Sequence, residues 1–160
     1  MLFRSWTSTE PVTFEGKHYQ VRDVNFWPKP VQSPPPIWFG GTSPSIRRGV
    51  AQLGDGWAPA APQLGGFTAE FFRESLDAIR ASAKEQGRGE IRSGGLFLTS
   101  ISENSKDIDA TVALLNQKPD YAGMSLADIN ARGTMMIGDP DQVCRAIEPY
   151  AKAGVEEVNM

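Results

Sequence analysis

Pro36-Ile37-Trp38-Phe39-Gly40-Gly41-Thr42-Ser43-Pro44-Ser45-Ile46-Arg47-Arg48 is the stretch on which the fold turns. Ile37, Trp38 and Phe39 form a short continuous apolar run, the pattern of a parallel strand covered on both faces. Gly40 and Gly41 follow, so the backbone can approach a ligand there without a Cβ in the way. Ser43 is then placed to cap a helix. Pro44 at its first position wastes no donor, because that N–H would have had no helical partner, and its φ is already set for the helix. N–H groups left open at such a terminus, backed by the positive end of the helix dipole, favour a phosphate or carboxylate. A tight strand-to-helix turn can also use Gly and Ser for geometry alone. Neither Gly-x-Gly-x-x-Gly nor Gly-x-x-x-x-Gly-Lys-Ser/Thr occurs here, so dinucleotide and nucleoside-triphosphate readings lack their fingerprints.

Outward from this stretch the same grammar repeats. Upstream, a hairpin is expected across residues 12–14 and 18–21, turning at Glu15-Gly16-Lys17. Pro28, Pro30 and Pro34-Pro35-Pro36 then enforce extended backbone up to the first strand. Downstream, the helix over 44–53 stops at Gly54, and residues 57–61 make the next strand. Phe72, Leu76, Ile79 and Ala83 fall on one helical face, with Thr68 as N-cap and Gly87 at the stop. Residues 91–100 read as a third strand, weakened by Gly94-Gly95. A helix near 107–116 turns Ile108, Val112 and Leu115 to one side and is closed by Pro119. Residues 119–138 read as an insertion with one short helix opened by the capping box Ser125-Leu126-Ala127-Asp128. Asp139-Pro140 repeats the cap-plus-proline device for a helix with Val143, Ile147 and Tyr150-Ala151 inward. That helix stops at Gly154 and delivers residues 155–160 as the last strand. Four strands alternating with helices imply a parallel sheet.

Composition narrows the function classes. The chain has 160 residues, a net charge of −3 and 40% hydrophobic residues. It thus has enough apolar material for a core and no broad basic field for nucleic acid or an acidic membrane. No apolar run is long enough for a signal sequence or a membrane span, which points to a cytoplasmic protein. The single cysteine, Cys144, permits no intrachain disulfide and reads as a small packing residue. His18, the one histidine, falls in the hairpin as a surface residue. No cluster of His, Cys, Asp and Glu has metal-ligand spacing. Asp55, between two glycines, reads as a helix-to-strand turn, and Trp38 and Trp57 as core. Arg47 and Arg48 follow the glycine loop by one turn, within reach of an anion or on a solvated helix face.

The wider set of motifs carries a resemblance. Ser5-Trp6-Thr7, Val12-Thr13-Phe14-Glu15-Gly16-Lys17-His18-Tyr19, Pro28-Lys29-Pro30-Val31-Gln32, the Pro34-to-Gly41 segment and Gly54-Asp55-Gly56-Trp57 occur in an order that resembles the bacterial luciferase-like monooxygenases. Gly138-Asp139-Pro140-Asp141-Gln142-Val143, with the run from Tyr150 to Met160, is similar to the last helix and last strand of that family. The resemblance implies a flavin- or deazaflavin-dependent oxidoreductase on an eight-stranded β/α barrel. A whole barrel takes about 250 residues, so the expectation is the C-terminal half of one, with residues 1–35 a helix end and proline-rich connection and 36–160 the half-barrel.

Carried over by residue, the resemblance implies that Gly40, Gly41, Thr42 and Ser43, with Ser45, hold the phosphate of FMN or of the deazaflavin coenzyme F-420. Its catalytic side chains are expected in the half that this sequence lacks, acting on a small-molecule substrate. The loop fits both cofactors. Two open sheet edges and an uncovered face further predict a homo-oligomer or a separate N-terminal half. A non-catalytic, truncated flavin-binding or self-associating half-barrel is the alternative. An unrelated phosphate-binding barrel would place its site near the last two strands, where Gly94-Gly95 is the only glycine pair and precedes its strand's apolar run.

Overall fold

In the computed structural model, residues 2–60, 67–133 and 135–159 are described, 2–4 by their backbone. The chain divides into two compact units, Met1–Ile37 and Trp38–Met160.

The first unit is built around the expected hairpin. Strand β1 (Val12–Glu15) pairs antiparallel with β2 (Gln20–Val24), with Phe14 opposite Val21 and Glu15 opposite Gln20. The turn is longer than the sequence suggests: Gly16 donates its N–H to the Tyr19 carbonyl at 2.9 Å, which leaves His18 exposed in the turn rather than in the strand. A 3-10 helix over Leu2–Thr7 is fastened to the proline segment by the Trp6 indole, which donates to the Pro28 carbonyl at 2.8 Å.

The second unit alternates strands and helices. In chain order these are β3 (Trp38–Phe39), α1 (Pro44–Leu53), β4 (Gly56–Trp57), α2 (Ala69–Glu85), β5 (Arg92–Leu96), β6 (Leu98–Ile101), α3 (Ser105–Asn116), α4 (Leu126–Arg132), β7 (Met135–Gly138), α5 (Pro140–Lys152) and β8 (Glu157–Asn159). Strands β3, β4, β5 and β8 form one parallel sheet in that order, and β6 and β7 form a separate parallel pair. Ala61 and Met160, expected at the ends of two strands, lie outside the described residues.

Local chemistry explains most boundaries. Ser43, Thr68, Asn104, Ser125 and Asp139 all cap helices through their side chains, and Ser125 with Asp128 and Asp139 with Gln142 close full capping boxes. Pro44 and Pro140 occupy first helical positions, as their fixed φ allows.

Four expectations are corrected. Residues 119–138 are not only an insertion: Met135–Gly138 is a strand paired with β6, with Met136 buried in the main core and Ile137 in a second cluster with Leu115 and Ile129. The third strand is two: β5 pairs with β4 and β8, β6 pairs with β7, and between them Phe97 turns wholly into the core. Trp38 and Phe39 are only half-buried, since β3 is a sheet edge. Cys144 and Ala151 are exposed on α5 instead of packed within it.

The core lies on the helix-covered face of the sheet. Trp57, Phe72, Leu76, Ile79, Phe97, Val143 and Tyr150 share it with the half-buried Phe39 and Ile46. Side chains alternate along each strand, so Trp38, Gly56, Arg92, Gly94 and Glu157 occupy the opposite face. There the Arg92 guanidinium lies 5.3 Å from the Trp38 ring centre and pairs with Glu157. Glycine is required beneath Trp38: a Cβ on Gly56 would fall 2.5 Å from Cδ2 of that ring. Gly95 has the same relation to Phe97, whose Cε2 would lie 2.7 Å from an added Cβ. Packing therefore accounts for Gly95.

Gly56→Ala is expected to lower unfolding stability by about 1–3 kcal/mol, the usual cost of forcing extra volume into a packed site. Gly89→Ala, which meets nothing within 4 Å, is expected to leave it within about 0.5 kcal/mol. Urea titration of both variants checks the pair.

Candidate functional site

The loop between β3 and α1 is set from both sides. On the strand side, the Ala58 N–H donates to the Phe39 carbonyl at 2.9 Å, which keeps β3 and β4 paired up to Gly40. On the helix side, Ser43 is extended at φ −61° and ψ 153°. Its Oγ accepts the Ile46 N–H at 3.3 Å, and its carbonyl accepts the Arg47 N–H at 3.0 Å. A 2.9 Å hydrogen bond joins the Ser43 and Ser45 hydroxyls. Gly41 carries the turn at φ +86°, a conformation that L side chains rarely adopt. Gly40 has no such constraint: a Cβ there would lie 3.6 Å from the Ala58 carbonyl oxygen, at ordinary contact. The two glycines thus differ in role.

The N–H groups of Thr42, Ser43 and Ser45 meet no hydrogen-bond acceptor among the described residues, and Pro44 has none to offer. Helix α1 also has no acidic residue in its first turn, whereas α2, α3, α4 and α5 carry Glu70, Asp107, Asp128 and Asp141 there. Its positive end is therefore uncompensated by a neighbouring carboxylate. These donors gather at the C-terminal end of a parallel strand, the end at which open α/β sheets and β/α barrels present ligands.

Beneath the loop is an aromatic cluster. Trp57, fully buried, stacks on Phe72 with ring centres 5.0 Å apart and donates its indole N–H to the Gly41 carbonyl at 2.8 Å. Phe67 continues from Phe72 at 5.9 Å and meets Tyr150 edge-on at 5.7 Å. Tyr150 in turn donates its hydroxyl to the Phe67 carbonyl at 2.7 Å. The sequence marked Trp57 as core and was silent on this bond, since its acceptor lies sixteen residues away and on a backbone atom.

Gly40, Gly41, Thr42, Ser43 and Ser45 are brought together. The basic residues that follow the loop are not added to them. Arg47 Nη1 reaches the Ser75 hydroxyl at 3.5 Å, toward α2, and Arg48 is exposed. Both line a surface groove with Ala78, Ile79 and Ser82, between α1 and α2. Asp55 stands at the other end of the strands, 3.7 Å from Arg88. No group of three His, Cys, Asp or Glu able to hold a metal occurs among the described residues. No described helix is long and apolar enough to cross a membrane.

Fold and loop together define an α/β unit whose parallel strands feed helices, with open backbone donors at a strand's C-terminal end. Over residues 1–157 the chain matches the luciferase-like monooxygenases, and it belongs to that family. Three solved structures share the fold. One is an F-420-dependent secondary alcohol dehydrogenase in complex with an F-420–acetone adduct, at 18% identity and a TM-score of 0.69, over 96% of this chain and 51% of that one. A second is the coenzyme F-420-dependent tetrahydromethanopterin reductase from Methanopyrus kandleri, at 24% and 0.68, over 98% and 53%. The third is a riboflavin lyase with modified FMN and riboflavin, at 15% and 0.61, over 93% and 43%. The chain spans about half the length of these structures.

Burial pushes the Tyr150 phenol above its ordinary pKa of 10.0. Because the folded value is the raised one, the neutral phenol's contribution is fully present below pH 10 and lost as pH climbs through the raised value. Tyr150→Phe is expected to cost about 1–3 kcal/mol at pH 7, since the Phe67 carbonyl loses its donor. The variant should also show a shallower fall in stability above pH 10 than the parent. Chemical unfolding across that range measures both.

Proposed function

We propose that this chain forms the phosphate-holding side of a luciferase-like flavin- or deazaflavin-dependent oxidoreductase. The observation that carries the reading is the set of unpartnered N–H groups on Thr42, Ser43 and Ser45, at a helix end with no acid in its first turn. Phosphate oxygens accept such donors, and the helix dipole favours their charge. The relatives' ligands agree in chemistry, one an F-420 adduct and another a modified FMN. Both cofactors carry a phosphate on the chain attached to the ring, so the loop accommodates either.

In this reading Gly41 supplies the turn, and the Thr42, Ser43 and Ser45 amides bind and orient the phosphate end. The Ser43 hydroxyl, already accepting from Ile46, serves chiefly to keep the helix end in register. When bound, the cofactor supplies the redox chemistry, accepting or delivering the electrons that oxidise or reduce a small-molecule substrate. Walls that exclude water from the ring, and side chains that act on substrate, belong to the half of the fold that this chain does not span in its relatives.

The sheet face carrying Trp38, Arg92 and Leu96, together with the exposed Leu98 and Ile101, is then covered by that other half or by a second copy of the chain. The domain consists of a connection over residues 1–35 and a half-barrel over 36–160, working in the cytoplasm. A second reading is a flavin-binding or self-associating unit without turnover, in which the loop and the open sheet edges β3 and β8 are kept and no catalytic side chain is needed.

Two experiments test these readings. In a titration of the 160-residue chain with FMN, Gly41→Val is expected to weaken binding at least tenfold, because a β-branched residue at φ +86° is strained. Ser43→Ala should weaken it about fivefold through loss of a cap worth about 1 kcal/mol. Unchanged affinity in Gly41→Val would reduce the glycine pair to a turn. Light scattering coupled to an oxidoreductase assay tests what the two readings share. The chain alone is expected to self-associate and to show negligible turnover with FMN plus a reductant or with reduced F-420. A dilute, well-folded monomer would contradict self-association, and sustained cofactor-coupled turnover would contradict the division between halves.

A further inference from the structure

A peptide bond is planar and trans, so the carbonyl of one residue and the N–H of the next point in opposite directions. The direction of the Thr42 N–H is therefore fixed by wherever the Gly41 carbonyl is held. That carbonyl accepts the Trp57 indole N–H at 2.8 Å, from the core side of the loop. The Thr42 N–H accordingly faces away from the core, toward the open end of the strands, where it meets no acceptor among the described residues.

Glycine needs such a restraint. At φ +86° Gly41 lies in a region that it leaves at little cost, and with no Cβ it offers little steric resistance of its own to rotation of the peptide plane that follows it. A rotated plane would turn a carbonyl oxygen outward and the Thr42 N–H inward, presenting an acceptor to an anion in place of a donor. The indole cannot follow such a rotation. Trp57 is 0% exposed and stacked on Phe72, so its donor is as immobile as the core. A buried indole N–H also needs an acceptor. Satisfying Trp57 and orienting Thr42 are then a single event.

We propose that Trp57 is a positioning residue for the Gly40-Gly41 loop, aiming the Thr42 N–H at an incoming phosphate by holding the Gly41 carbonyl from below. For its ligand this rests on the cofactor-phosphate reading above; for the orientation of the loop it does not.

The test compares the full chain with Trp57→Phe, which keeps an aromatic ring on Phe72 and removes the donor. Backbone 15N relaxation is read without ligand, and affinities are read for FMN and for riboflavin, which lacks the phosphate. In the variant, the Thr42 order parameter is expected to fall toward the flexible range below about 0.6, with α2 unchanged. FMN affinity should fall about fivefold, the order of one hydrogen bond, and riboflavin affinity should stay as in the parent.

An unchanged Thr42 overturns the proposal, as does loosening of α2 together with the loop or an equal loss for both ligands. If the parent itself does not prefer FMN to riboflavin, the cofactor-phosphate reading fails, while relaxation still decides the positioning role. Should Trp57→Phe not fold, the labelled parent answers alone. A scalar coupling across the hydrogen bond from Trp57 Nε1 to the Gly41 carbonyl carbon, with a rigid Thr42 amide, supports the proposal. Absence of the coupling with a mobile Thr42 overturns it.

Discussion

The Trp57 indole belongs to two parts of the protein at once. Its rings stack on Phe72 inside the core, and its one N–H is committed to the Gly41 carbonyl at the end of β3. The apolar burial that stabilises the unit thereby also sets the geometry of a stretch with no regular structure, and the glycines that permit that geometry do not have to maintain it.

Around this bond the unit has a clear division of labour. On the helix-covered face of the sheet, Trp57, Phe72, Phe97 and Tyr150 build an aromatic core with hydrogen-bonding handles at its upper rim. The Tyr150 hydroxyl secures the Phe67 carbonyl as the Trp57 indole secures that of Gly41. The opposite face is of another kind, with an Arg92–Glu157 ion pair beside Trp38 and glycine beneath the ring. This face is bordered by the β3 and β8 edges of the sheet. The chain belongs to the luciferase-like monooxygenases and spans about half the length of the matched structures.

What the sequence made legible was local. Ser43-Pro44, Thr68, Ser125 with Asp128, and Asp139-Pro140 each carry their structural instruction within about four residues, as capping does, and all open helices where expected. The donors of Thr42, Ser43 and Ser45 were foreseeable for the same reason. Tertiary effects were not. Met135–Gly138 has the apolar run of a short buried strand but sits between glycines in a stretch rich in turn signals, and only its pairing with β6 makes it one. Phe97 has nothing in its neighbours to say that it turns into the core between two strands, where its ring lies beside Gly95. Trp57 was legible as core, but its bond to Gly41 depends on two strand ends meeting in space.

The central claim is that the Thr42, Ser43 and Ser45 amides hold the phosphate of a flavin cofactor. A crystal structure of the chain grown with millimolar FMN tests it most directly. The account predicts phosphate oxygens within about 3.2 Å of those three nitrogens, with the Gly41 carbonyl still turned down to Trp57. Phosphate density in the groove of Arg47, Arg48 and Ser82 instead, with the loop empty, would contradict it.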